Sequence, residues 1–284
     1  MTYLDYAARG KNAAWRYVVG PCLGLALTVV FGFLVALALQ LSHTMPPDLK
    51  QQLLHVTRPV TFYLATGVMF GVLLAGFAVA LAVVHRKSPA DIIGLWRWRG
   101  FGLGVGLWLA VLVIGSLTDL ALAPKGFSIT ADGRTAGLAV AALVGLAVQT
   151  FAEEFVFRGY VTQGLLLATR RPGVTAVLSG LLFGALHIPN GAPQAVNAVV
   201  FGMVLALIAI RTGGLAFGYG VHLINNLYGA VVVVSAGDVF RGTPGLFTQS
   251  TSGLMWWDAA LGGAALLVVG GLVLRGWLSH AAPT

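Results

Sequence analysis

Two adjacent carboxylates, Glu153 and Glu154, stand inside the apolar run AVQTFAEEFVFRGYV, and Arg158 follows four residues after the second. They are the only glutamates among 284 residues. A charged side chain at membrane depth costs ~2.5 kcal/mol or more even on the most lenient scale, so such groups face a bundle interior or a wet cavity and are paired. The i, i+4 spacing puts Glu154 and Arg158 on one helical face and predicts an ion pair. Glu153 is turned by ~100° from Glu154 on an α-helix and is expected to point elsewhere, leaving one carboxylate structural and the other free.

Two further segments carry polar side chains that an apolar helix would otherwise avoid. The first is LLFGALHIPN, which places Phe183 one turn before His187; the second is GYGVHLINNLYG, with His222 and Asn226 four residues apart on one face. Counting from Arg171, Glu154 lies 17 residues back and His187 lies 16 forward. An antiparallel hairpin would carry both to about 25 Å from the turn, so acid and imidazole can meet. Measured from Arg211, His222 sits only ~16 Å in; a helix starting below the surface at Gly213 and Gly214 would close part of that gap. A lone buried histidine is more often a satisfied core residue than a catalyst. Here both glutamates, the arginine and the only histidines of the later helices fall in three segments, which points to a shared site. His43, His55, His85 and His280 lie in or near loops and are read as having no such role.

The elements that must position these groups follow from composition. Apolar residues make up 58% of the chain and charged residues 9%, with a mean hydropathy of +0.88, the profile of an integral membrane protein. Long uncharged runs at 17 to 41, 59 to 84, 100 to 118 and 135 to 152 can each cross a bilayer, and four more apolar segments follow near 172 to 189, 193 to 210, 213 to 236 and 254 to 274. The expected fold is therefore all-α: a polytopic bundle of about eight transmembrane helices in one membrane domain, 1 to 284. Its N-terminal helices lie in 17 to 123, its chemistry-bearing core in about 135 to 236 and its C-terminal helix in about 254 to 276. Outside the helices, residues 42 to 58 are expected to form an outer loop with a short helix, and the glycine-rich stretch 237 to 253 a mobile outer loop. The alternating basic and aromatic residues of 86 to 100 suit a segment in the headgroup layer.

Lysine and arginine number 17 against 9 acids, a net charge of +8. With the N-terminus inside, eleven basic residues face the cytoplasm and only Lys50, Arg58, Lys125, Arg134 and Arg241 lie outside, Arg158 being intramembrane. That asymmetry places the chain in the cell membrane as a multi-pass protein with both termini cytoplasmic. No clustered basic stripe with interleaved aromatics marks a nucleic-acid surface. The single cysteine, Cys22, leaves no intramolecular disulfide to build on.

With these residues in place the sequence resembles the CPBP family, the intramembrane proteases of CAAX and bacteriocin processing, also called Abi. Its EExxxR motif matches Glu153, Glu154 and Arg158; its FxxxH matches Phe183 and His187; its HxxxN or HxxxD matches His222 and Asn226. The resemblance covers roughly 135 to 236. It implies an endopeptidase acting on a membrane-associated peptide or protein near or within the inner half of the bilayer. Glu153 would be general base toward a water also held by His187. His222 and Asn226 would hold the developing oxyanion, Glu154 and Arg158 would fix the helix face, and Phe183 would pack against the site. Zinc is left open: Glu153, His187 and His222 would be its ligands, yet no HExxH is present and the depth of His222 favours chemistry without it. Two other classes compete, a non-catalytic scaffold or bacteriocin-immunity protein of the same family, and a proton or ion transporter, for which no paired broken helices in matching halves are found.

Overall fold

In the computed structural model, which describes residues 2–46, 49 and 58–276, the chain folds as an all-α polytopic membrane protein. Two helices are short, α1 (Tyr3–Ala8) at the N-terminus and, after two long helices, α4 (Pro89–Ile93). The rods of the bundle are α2 (Arg16–Leu41), α3 (Pro59–Ala80, prolonged by a π turn Leu81–His85), α5 (Trp98–Leu122), α6 (Thr135–Glu153), α8 (Pro172–Ala185), α9 (Ala192–Thr212), α10 (Ala216–Val231) and α11 (Met255–Leu274). From α6 the chain runs on through a π-helical stretch, Glu154–Val161, into α7 (Thr162–Thr169), making one continuous rod of 35 residues. Among the described residues six rods are long and apolar enough to cross a membrane, while α8, with 14 residues, and α10, with 16, are shorter. The expected set of about eight thus divides into full spans and two shorter rods that stay within the bundle's depth.

Helix α2 is almost uncovered by the rest of the protein. Only 6% of the apolar window of α2 is buried inside the protein, and Val29 and Leu41 are each 72% exposed. A helix apolar all round and so exposed is stable only in lipid. Inside, Trp108, Phe183, Phe201, Leu205, Phe217 and Leu266 form the main core. Two close helix crossings set its shape. Gly180 on α8 meets Gly202 on α9, and on the α5/α10 crossing Gly220 lies against the carbonyl of Phe101 and Gly104 against that of Phe217, where any Cβ would collide with backbone.

One end of the bundle carries a floor made by α1 and α4. Each is opened by a reciprocal cap, Thr2 with Asp5 and Ser88 with Asp91, and Arg9 ties them through Asp91 at 2.8 Å. Lys87 is buried there, donating to the Ala7 carbonyl at 2.7 Å. The stretch expected merely to lie in the headgroup layer is therefore part of the packed protein, although Trp98 stays 71% exposed. At the opposite end a small sheet forms a roof: β3 (Phe247–Gln249) lies between β1 (Phe127–Ile129), antiparallel, and β2 (Val233–Ser235), parallel. The loop expected to be mobile is held by this pairing, and the apolar segment expected to reach 236 leaves its helix at Val231 to enter it. The outer loop 42 to 58, with its expected short helix, falls largely outside the described residues, as do Lys50, His55 and His280.

Candidate active site

The rod formed by α6, the π stretch and α7 supplies three of the polar groups. π-helical backbone is rare and concentrates at functional sites. Local propensity does not announce it here, and the sequence pattern had suggested plain α-helix. Its displaced carbonyls are taken up by side chains from elsewhere. Thr162 Oγ1 donates to Phe157 O at 2.8 Å, and Tyr3 OH on α1 donates to Arg158 O.

Glu154 and Arg158 are both fully buried, with Arg158 Nη1 3.2 Å from Glu154 Oε1. The guanidinium nitrogens have no aligned hydrogen-bond acceptor. Instead the Arg158 Cζ sits 4.0 Å from the Phe183 ring centre and 5.7 Å from that of Phe201. Phe183 thus offers a π-face to the cation as well as packing, an interaction worth ~2 kcal/mol when desolvated.

His222 is where the two carboxylates converge. Its Nδ1 is 2.8 Å from Glu154 Oε1 and its Nε2 is 3.5 Å from Glu153 Oε2. Glu153 makes no ion pair with Arg158, yet one imidazole reaches both carboxylates. The two side chains do leave the helix in different directions, but an imidazole presents nitrogens on two edges and reaches both. Glu154 therefore has a second partner besides Arg158. Its carboxylate fixes the Nδ1–H tautomer edge of His222 and turns Nε2 toward Glu153.

The depth deficit of His222 disappears for a reason that lies in the floor. Gln163 Nε2 donates to Asp91 O at 2.8 Å, Leu95 N donates to Gly213 O at 2.8 Å and Leu215 N donates to Ile93 O at 3.1 Å. Gln163 and Gly213 are thus held at one level by α4 and the residues after it. Glu154 stands nine residues above the first and His222 nine above the second, so the two are carried to a similar level. Helix α10 starts on the floor, not at the level of the Arg170–Arg171 turn.

Gln149, one turn before Glu153, completes the arrangement. It donates to Glu153 Oε1 and accepts from Asn226 Nδ2 at 3.1 Å; Asn225 in turn donates to Asn226 Oδ1 at 3.2 Å. Neither Gln149 nor Asn225 stands among the motif residues. A glutamine four positions before a carboxylate in an apolar helix was the available signal. Glu153 Oε2 is left without a hydrogen bond, the state a general base needs.

His187 occupies another wall. Its Nδ1 donates to Phe183 O at 2.8 Å, leaving Nε2 as the free nitrogen. Phe183 borders both imidazoles, with ring centres 4.5 Å from His187 and 6.0 Å from His222. Glu153, His187, His222 and Asn226 all line one cavity of about 500 Å³. Its lining continues upward to Asp238 and Phe240 in the roof loop.

Zinc is tested by the donors themselves. Among the described residues no three His, Cys, Asp or Glu side chains converge to hold a metal. The Nδ1 atoms of His222 and His187 are engaged by Glu154 and Phe183 O, which leaves the two Nε2 atoms on the cavity side. No step below is routed through a zinc ion.

Residues 135–228, which contain every group of this cluster, match the family model described as type II CAAX prenyl endopeptidase Rce1-like. Over 282 residues, 93% of each chain, the sequence is 27% identical to the uncharacterized protein YyaK of Bacillus subtilis (strain 168). No solved structure matches.

Proposed function

From the premise that the segment 135–228 matches the CPBP/CAAX protease family, we propose that the chain is an intramembrane endopeptidase that hydrolyses a peptide bond of a membrane-associated protein or peptide without a metal. The observation that carries this reading is the carboxylate oxygen Glu153 Oε2, free of hydrogen bonds, beside His222 Nε2 at 3.5 Å in a cavity large enough for a peptide segment. A water in that cavity gives its proton to Glu153 while its oxygen attacks the scissile carbonyl carbon. His187 Nε2 accepts the water's other hydrogen and aligns it.

The Nε2 edge of His222 and the second amide hydrogen of Asn226 border the oxyanion, in a site where water cannot screen them. Collapse of the tetrahedral intermediate breaks the C–N bond. The proton held by Glu153 passes to the departing nitrogen, giving a carboxylic acid and an amine, and the acid's proton then moves to the amine or to solvent.

Comparative peptidomics of membranes carrying the wild type or Glu153→Gln tests the reading. Product ends present only with the wild type are expected, and incubation with a zinc chelator should leave them in place. Identical peptide profiles from the two proteins would remove it. We place the protein in the cell membrane with both termini in the cytoplasm, on the strength of the basic-residue asymmetry.

A further inference from the structure

A second cavity of about 230 Å³ adjoins the first under the roof and shares Gln194, Asn197, Asn225 and Asp238 with it. Three of the nine acidic residues of the chain line it: Asp119 near the end of α5, Asp258 in the first turn of α11 and Asp238 in the roof loop. No lysine, arginine or histidine lines it, and among the described residues no basic side chain forms an ion pair with any of the three. In a chain with a net charge of +8 this is the reverse of the average surface.

Two buried polar atoms in the wall, Asn197 Oδ1 and Gln249 Nε2, have no partner, and a third, Asp119 Oδ1, meets no donor other than the neighbouring Asp258 carboxyl; Asp119 is 8% and Gln249 3% exposed. The oxygens are acceptors in want of a donor and the amide nitrogen a donor in want of an acceptor, and such orphans are costly unless something fills them. A peptide residue with a cationic side chain supplies both, an N–H cation for the carboxylates and a backbone carbonyl for the amide. The volume suits one long side chain and not a whole ligand. The carboxylates do not converge in a metal-binding set.

We propose that this acidic cavity is a specificity subsite for a lysine or arginine side chain of the peptide cut in the adjoining cavity. The assignment rests on the protease reading above. It places the basic residue on the roof side of the scissile bond.

Two assays test it. In the first, the full chain in nanodiscs receives short randomised peptides and the new ends are sequenced by mass spectrometry, with Glu153→Gln as the blank. Lysine or arginine is expected at one fixed distance from the cut. The preference for lysine over norleucine there should fall about ten-fold or more in Asp119→Asn and Asp258→Asn, and turn toward glutamate in Asp258→Lys. A basic preference absent from the wild type, or unchanged by all three variants, overturns the proposal. Failure of the wild type to cut any peptide counts against the protease reading, and the second assay then decides the subsite alone. There the Glu153→Gln protein is titrated with N-acetyl-lysine methylamide and with its norleucine counterpart, followed by saturation-transfer NMR. Binding of the lysine probe only, lost in Asp119→Asn, is expected. Equal binding of both probes overturns the subsite, and so does tight binding of calcium alone that the lysine probe cannot displace.

Discussion

Neutralising Glu154 removes the one negative charge in direct contact with a fully buried arginine. Glu154 Oε1 is 3.2 Å from Arg158 Nη1 and 2.8 Å from His222 Nδ1. At an effective dielectric constant of about 20, a unit pair at the first distance is worth ~5 kcal/mol. Breaking a buried pair by deleting one partner costs ~3–5 kcal/mol, because the other charge is left uncompensated. Glu154→Gln keeps the side-chain volume and an acceptor oxygen for His222, so the loss reports the charge and not a cavity. The expected result is ~3 kcal/mol or more of lost stability in reversible unfolding from mixed micelles. Removing both charges, in Glu154→Gln with Arg158→Gln, should recover at least half of it, since no lone ion is left behind. Glu153→Gln in the same assay should change stability by ~1 kcal/mol or less, as Glu153 pairs with no arginine. A coupling between positions 154 and 158 below ~1 kcal/mol, with Glu154→Gln as stable as the wild type, would refute the assignment of a structural role to one carboxylate and a chemical role to its neighbour.

Three other outcomes are expected. Gln149→Leu frees Glu153 Oε1 and Asn226 Nδ2 together, so turnover should drop by ~10 to 10²-fold with little change in KM, and steady-state kinetics on a cleaved peptide would show it. Burial holds the Lys87 ammonium down to about 8 from 10.5; between those values the unfolded chain binds more protons than the folded one, so stability should rise with pH through that window. Unfolding at both ends of the window, repeated with Lys87→Met, should show the rise in the wild type only. Gly220→Val drives side-chain carbon into the Phe101 carbonyl at the α5/α10 crossing; the resulting overpacking of ~1–3 kcal/mol or more should lower the yield of folded protein in size-exclusion chromatography.

The bilayer class, the limits of most rods and the three segments that bear chemistry were legible in the sequence. Each depends on local pattern: the run length needed to cross a hydrocarbon layer, and the four-residue repeat that puts His222 with Asn226 and Glu154 with Arg158 on common faces. The π backbone at Glu154–Val161 was not legible, because it is stabilised by Tyr3 and Thr162 capturing its carbonyls, and Tyr3 is remote in sequence. The meeting of both carboxylates on one imidazole was likewise out of reach. It needs α10 to start on the floor made by residues 89 to 97, and that level is set by hydrogen bonds from Gln163, Leu95 and Leu215.

By itself, then, the sequence determined which side chains are too costly to leave in lipid and which helices carry them, since desolvation and helical periodicity act residue by residue. Only the tertiary structure decided which nitrogen faces which oxygen, and that Asp119, Asp238 and Asp258, more than a hundred residues apart at the extremes, line a single chamber. Those outcomes depend on the relative depth and rotation of packed rods, which glycine crossings and interhelical hydrogen bonds fix and no single segment encodes.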